Sequence, residues 1–400
     1  MMRYYFYSLL LPAALCAQHP TPKQLSTDQR ITSLATRIKS TPEDAVVRIE
    51  LAGAYLQKMR ETTDGAYLER ARQLVDGTLR QHPDDYDARR RALEIEMMVH
   101  HFKQVVAGGS KLLAERPHDA TVLGLVGDAH MERGDYDRAS DAYQKMSDLR
   151  PGLASYNRIA FYRFVTGDPV GAIEAMRLAI RAGSREPENL AWCLTDLGMM
   201  LFKTGAINEA ERAFREALNR FPGYHPALGG IGRAEAARGH NEAAIQSILA
   251  AQSRVPLPEY AGLLAKLYRK TGQTEAASRQ LALLDVAGQL DKAAGELANR
   301  HLALAYADLE YRLPRALELA RAELAVREDV YTYDAWAWIL FRNGQAAPAA
   351  EAIGKALAQN TPEPAFHAHA AAIYESLGRM DDAAASRKQA AALNPTYDIR

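Results

Sequence analysis

Cysteine is scarce in this chain: 400 residues hold two, Cys16 and Cys193. Cys16 sits in an N-terminal apolar run, so the remainder has one thiol and no intramolecular disulfide. A chain of this size can bury enough apolar surface to fold without such a staple. Net charge is lacking too, with 49 Lys and Arg against 49 Asp and Glu. A basic face for nucleic acid is therefore not indicated. Beyond residue 17 no apolar run approaches the length of a membrane-spanning helix. Low-complexity tracts and long runs of one charge are also missing, which leaves no room for a second domain.

The usual signatures of chemistry are equally thin. His367 and His369 are two residues apart and diverge on a helix, where metal ligands sit three or four apart. Ala107-Gly-Gly-Ser-Lys111 lacks the first glycine of a phosphate loop and follows no strand. Gly229, Gly230 and Gly232 lie inside a helical pattern and read as packing positions. No Ser/His/Asp or Cys/His arrangement can be built. The expectation is a chain with no catalytic, cofactor-binding or metal-binding residues.

What is present is a period. Pro83, Pro117 and Pro151 are each 34 residues apart, as are Pro222 and Pro256. A constant spacing of this length marks stacked supersecondary units. In the unit 118–151, Leu125, Val126 and Ala129 form one helical stripe, and Gly134 ends that helix. Ala139, Ala142, Tyr143 and Met146 form a second stripe, and Pro151 stops it. Small residues at Gly127 and Ala139 let the two helices approach closely. Such a hairpin cannot bury its apolar surface alone, so neighbours must stack on it.

The unit resembles the tetratricopeptide repeat family. Gly198, Ala210, Phe214, Ala217 and Pro222 fill the five pattern positions of one repeat. Gly232, Ala244, Ile248, Ala251 and Pro256 fill those of the next. Ala371, Ala383, Ala390 and Pro395 match in the last, where Arg387 departs from the pattern. The resemblance implies an all-α fold, a right-handed α-α superhelix of about ten helix hairpins over 42–395. Gly198 and Ala210 are expected to face each other across their hairpin. The seventh repeat reads as 257–286, and the eighth, about 289–328, as having a lengthened first helix.

Residues 1–17, MMRYYFYSLLLPAALCA, place Arg3 before an apolar run that ends in small residues. This is a secretory signal pattern, with cleavage expected after Ala17. Lipidation would need Cys16 as first mature residue, and Leu15 before it fits poorly. Residues 18–41 read as a linker and an N-terminal capping helix. The mature protein is expected in the periplasm or outside the cell.

With no chemistry to place, function falls to the surface. In the resembled family the first helix of each hairpin lines the concave side. Its inward positions map here to Asn157, Phe161, Phe164, Met199 and Phe202, then Arg233, Lys266 and Arg269, then Tyr331, Asp334, Trp338 and Phe341. The three cations are expected to form an exposed basic strip flanked by aromatics. The paired Lys and Asn side chains with which some family members hold a terminal carboxylate are not reproduced. These features point to a non-enzymatic scaffold that binds a protein or peptide in its groove. The alternatives are an exported enzyme or processing factor, marked by buried titratable groups in a closed pocket, and a carrier of a small apolar ligand.

Overall fold

A computed structural model of the chain describes residues 25–294 and 298–396. The export signal read at residues 1–17 lies outside them. Twenty-one helices and no strand occur among the described residues. A lone helix, α1 (Thr27–Ser40), covers the first of ten hairpins. Hairpins 1 to 5 are α2 (Ala45–Thr62) with α3 (Gly65–Gln81), α4 (Tyr86–Met98) with α5 (Phe102–Glu115), α6 (Ala120–Glu132) with α7 (Tyr136–Leu149), α8 (Leu153–Val165) with α9 (Pro169–Ala182), and α10 (Pro187–Lys203) with α11 (Ile207–Arg220). Hairpins 6 to 10 are α12 (His225–Ala237) with α13 (Asn241–Arg254), α14 (Pro258–Lys270) with α15 (Thr274–Ala294), α16 (Arg300–Asp308) with α17 (Leu313–Val326), α18 (Val330–Arg342) with α19 (Ala346–Leu357), and α20 (Pro364–Ser376) with α21 (Met380–Leu393). The result is the expected all-α superhelix.

Local chemistry sets these limits. Asp44, Asp85, Asp119 and Asp329 cap first helices by accepting backbone N–H bonds from the opening turn. Prolines open α10, α12, α14 and α20, where their missing N–H costs nothing. Within the hairpins, small residues admit bulky partners sixteen positions on. A Cβ on Gly127 would lie 2.4 Å from the Tyr143 ring, one on Gly198 2.4 Å from Phe214, and one on Gly232 2.4 Å from Ile248. Gly198 therefore receives Phe214.

Two further expectations are revised around residue 290. The seventh hairpin does not end at residue 286, because α15 continues to Ala294. The extra residues assigned to the first helix of the eighth hairpin belong to α15, and α16 is short, Arg300–Asp308. No Gly or Pro occurs between Gly272 and Gly288 to stop α15 at the repeat boundary.

The superhelix closes on itself. The Glu328 N–H donates to the Glu132 carbonyl at 3.1 Å, and the Val330 N–H to the Tyr136 hydroxyl at 3.0 Å. The Thr361 hydroxyl donates to the Val165 carbonyl at 2.5 Å, and the Asn394 amide to the Phe202 carbonyl at 2.8 Å. Hairpins 3, 4 and 5 thus meet the starts of hairpins 9 and 10 and the C-terminal tail, in order. Two glycines make the approach possible. Gly134 has φ +70°, and a Cβ there would lie 2.5 Å from the Glu328 carbonyl oxygen; Gly167 has φ +87° and meets the Asn360 and Gln359 carbonyls. The seam is also apolar, since one buried cluster joins Met131, Tyr143 and Val165 to Val330, Leu340, Ile353 and Phe366. At the other end Arg30 pairs with Glu186, and the Gln57 amide donates to Glu188 at 3.3 Å.

Candidate functional site

Closure turns the concave side of the second half into a cavity of about 320 Å³. Every lining residue comes from a first helix or its N-cap, in six successive hairpins: α10, α12, α14, α16, α18 and α20. Met199, Phe202, Leu263, Leu304 and Phe366 supply apolar wall. Between them lie charged groups in pairs. The Lys203 ammonium meets Glu363 at 2.6 Å, across the seam. Arg233 pairs with Glu259, and Lys266 with Asp308 at 3.3 Å. Arg300 lies 3.2 Å from Asp329, and His369 is 2.8 Å from Asp334.

The pairing shows in the protonation behaviour. Burial pulls the Lys203 ammonium down, but Glu363 and Tyr331 outweigh it and hold Lys203 above its ordinary range. Burial pushes the Glu259 carboxyl up, yet the charges of Arg233 and His301 keep it below its ordinary range. For Asp334 burial prevails over His369, and its carboxyl is raised.

Six of the sequence-derived residues line this cavity together: Met199, Phe202, Arg233, Lys266, Tyr331 and Asp334. The others do not. Asn157 is buried, its amide 3.9 Å from the Cys193 sulfur. Phe164 is buried in the core between hairpins 4 and 5, and Phe161 packs half-buried against the seam cluster. Trp338 forms the wall behind the cavity: its indole N–H donates to Asp308 at 2.9 Å and its ring stacks on His369 at 4.2 Å. Phe341 rests on Trp338 at 5.4 Å. Arg269 is exposed and donates to the Leu309 carbonyl at 3.0 Å.

The exposed basic strip is not what forms. Arg233 and Lys266 are half-buried and each faces a carboxylate, Glu259 or Asp308, from the next first helix. No motif in the sequence singles these acids out. Nor does a motif single out Lys203, Arg300 or Glu363, and the sequence offers His369 only as a poorly spaced metal ligand. The available signal was the position of Glu259 and Glu363 beside Pro258 and Pro364, at the mouths of two first helices.

Buried titratable groups in a partly closed pocket are the feature set out above for an enzyme. Here each is held by a protein partner, and the lining contains no Ser, Thr or Cys. The Asp334–His369 pair is braced by Trp338, whose ring stacks on His369.

Hairpins stacked in one curved row, with their first helices turned inward, define a helical-repeat solenoid. Two family models described as tetratricopeptide repeat match the sequence, one over residues 201–267 and the other over 126–187 and 335–398. Those segments are tetratricopeptide repeats. Members of this family bind proteins or peptides and are generally non-enzymatic scaffolds. Among solved structures, it is similar to PilW, a widely conserved type IV pilus biogenesis factor, with 17% identity, a TM-score of 0.44, and coverage of 51% of this chain and 93% of that one. Yeast Tom70 is similar over 92% of this chain and 88% of its own, with 14% identity and a TM-score of 0.43. MamA is similar over 40% of this chain and 91% of its own, with 21% identity and a TM-score of 0.33. No curated protein matches. Among the described residues, no helix is long and apolar enough to cross a membrane.

Proposed function

We propose that this protein is a scaffold acting outside the cytoplasm, which grips a short segment of a partner protein in the cavity of hairpins 5 to 10. The supporting observation is that six successive first helices converge on one space, with Glu363 of the last meeting Lys203 of the first. Its apolar walls would bury one or two partner side chains, which is where a few contacts carry most of the binding energy. The paired charges are pre-oriented to exchange hydrogen bonds with an extended backbone without demanding a net charge.

A photo-crosslinking amino acid placed at Leu263 should label a partner in periplasmic or secreted extract, while the same group at exposed Arg215 should not. Equal labelling from both positions would remove the cavity from the account. Export is tested separately: mass spectrometry of the secreted chain should find a new N-terminus near Gln18, and mature protein that keeps Met1 would defeat it. The closed form of the cavity favours one second reading, a carrier of a small apolar molecule. Native mass spectrometry of the purified protein separates the two, because a carrier should retain bound mass without any partner.

A further inference from the structure

The first four hairpins enclose a second hollow, separate from the cavity above. It is lined by the first helices α2, α4, α6 and α8 together with Met146, Arg150 and Pro151 at the end of the second helix α7, and measures about 470 Å³. Its walls are apolar at Leu56, Met98, Leu125, Met146 and Leu153. At Ala120, Thr121 and Arg150 it runs into a shallower hollow of about 570 Å³ on the rim, around the start of α6.

Charge in these two hollows is unlike the chain as a whole. Arg60, Arg90, Arg116, Arg150 and Arg158 line them, against Glu94 and Asp119 alone. The two acids are already engaged. Glu94 pairs with Arg91. Asp119 accepts bonds from Arg90 and Tyr86, both at 3.1 Å, and from the Thr121 and Val122 backbone. Arg158 is matched by Asp128. Arg116 and Arg150 are both exposed. Neither guanidinium is held in an ion pair like those of Arg90 and Arg158, and Arg116 acts only at longer range on the exposed Glu115, which is itself bonded to Arg89. They occupy equivalent places, each the C-cap residue of a second helix, before Pro117 and Pro151. Arg116 is also held in place, its guanidinium 3.8 Å above the Tyr86 ring. Stacking leaves the guanidinium edge free to donate two parallel bonds to a carboxylate.

We propose that this rim is a second docking point, which takes an acidic segment of a partner protein whose neighbouring apolar side chains enter the hollow of hairpins 1 to 4. Arg116 and Arg150 receive the carboxylates. Leu125, Met98 and Met146 receive the apolar residues. The order of the two hollows sets the order of the ligand: apolar residues toward the superhelix axis, acidic residues at the rim.

The test uses the full mature chain and a fluorescein-labelled peptide of leucines followed by glutamates. Fluorescence anisotropy should show binding that weakens as salt rises. Arg116→Glu with Arg150→Glu should weaken it on the order of tenfold or more, with an unchanged melting curve because both side chains are exposed. Arg116→Lys with Arg150→Lys should keep part of the affinity, since charge survives and the paired geometry does not. A control peptide with glutamine for glutamate should bind the parent and the charge-reversed protein equally weakly. Three results would overturn the proposal: equal affinity for parent and reversed protein, no effect of salt, or tighter binding of a single-stranded oligonucleotide than of the acidic peptide. Crosslinking from Leu263 is indifferent to these outcomes, so the two sites stand or fall separately.

Discussion

At the scale of residues, the clearest determinant is the small side chain that admits a large one. Gly198 is fully enclosed by Phe214, whereas Gly354 lies on an exposed helix face with nothing within 4 Å of a Cβ. The same substitution should therefore act with opposite sign. Gly198→Ala should destabilise by about 1–3 kcal/mol through overpacking. Gly354→Ala should stabilise by roughly 0.5–1 kcal/mol through helix propensity. Urea titration of both variants checks this, and a stabilised Gly198→Ala would mean that Phe214 is not seated on that glycine. A second residue effect is electrostatic. Glu132 lies in the seam beside Arg327, at 2.8 Å, and burial raises its carboxyl to about 7, with Arg327 opposing. Its folded pKa is above its unfolded value. Its stabilising contribution is thus complete below the unfolded pKa and is lost as pH rises through about 7. Glu132→Gln lacks that loss. Between about pH 5.5 and pH 8.5 the parent should lose Tm relative to the Gln variant, and a constant difference would take Glu132 out of the account.

At the scale of elements, similar caps do different work. Asp44 only caps α2, accepting from the Val47 N–H at 3.2 Å. Asp329 caps α18 through the Thr332 N–H at 2.6 Å and also balances Arg300. Asp44→Ala should cost about 1 kcal/mol, the usual value of a cap. Asp329→Ala should cost more, because it strips a half-buried guanidinium of its carboxylate. Asp329→Asn keeps the cap and loses the charge, so its stability should lie between that of Asp329→Ala and the parent. Thermal melts of the three variants measure the order Asp44, Asp329→Asn, Asp329→Ala only if the charge term exceeds the cap term; equal losses for the two alanine variants would show that the Arg300 pair contributes nothing.

At the scale of the whole molecule, closure sets this solenoid apart from an open row of repeats. In an open row each repeat touches only its neighbours, and removing the end leaves the rest nearly unchanged. Here Met131, Tyr143 and Val165 share one buried cluster with Val330, Ile353 and Phe366. A chain ended at Arg327 would expose the seam side of hairpins 3 and 4, although no sequence neighbour of theirs is lost. Its remaining hairpins should melt several degrees lower and show faster amide exchange in α6 and α8 than in α2. Unchanged exchange in α6 and α8 would show that the seam does not stabilise the first turn. The same closure explains the cavity, because Glu363 and Asn394 reach α10 only when the last hairpin returns to the fifth.

What the sequence determined by itself was the repeating unit. The 34-residue spacing, the glycine or alanine that admits a bulky partner, the aspartate caps and the prolines all act within one hairpin or between adjacent ones. Those interactions recur along the chain, so they leave a period that can be read. The first-helix assignment followed from it, and it was enough to bring Met199, Phe202, Arg233, Lys266, Tyr331 and Asp334 to one cavity. The tertiary structure alone decided how the turns meet. Thr361 reaches Val165 across 196 residues and Asn394 reaches Phe202 across 192, at places where single side chains and carbonyls happen to match. Such contacts occur once each and leave no periodic trace. For the same reason no periodic signal marks Glu259, Asp308 and Glu363 as ion-pair partners. Curvature places them opposite Arg233, Lys266 and Lys203, and so makes a paired, half-buried site where a basic strip was expected.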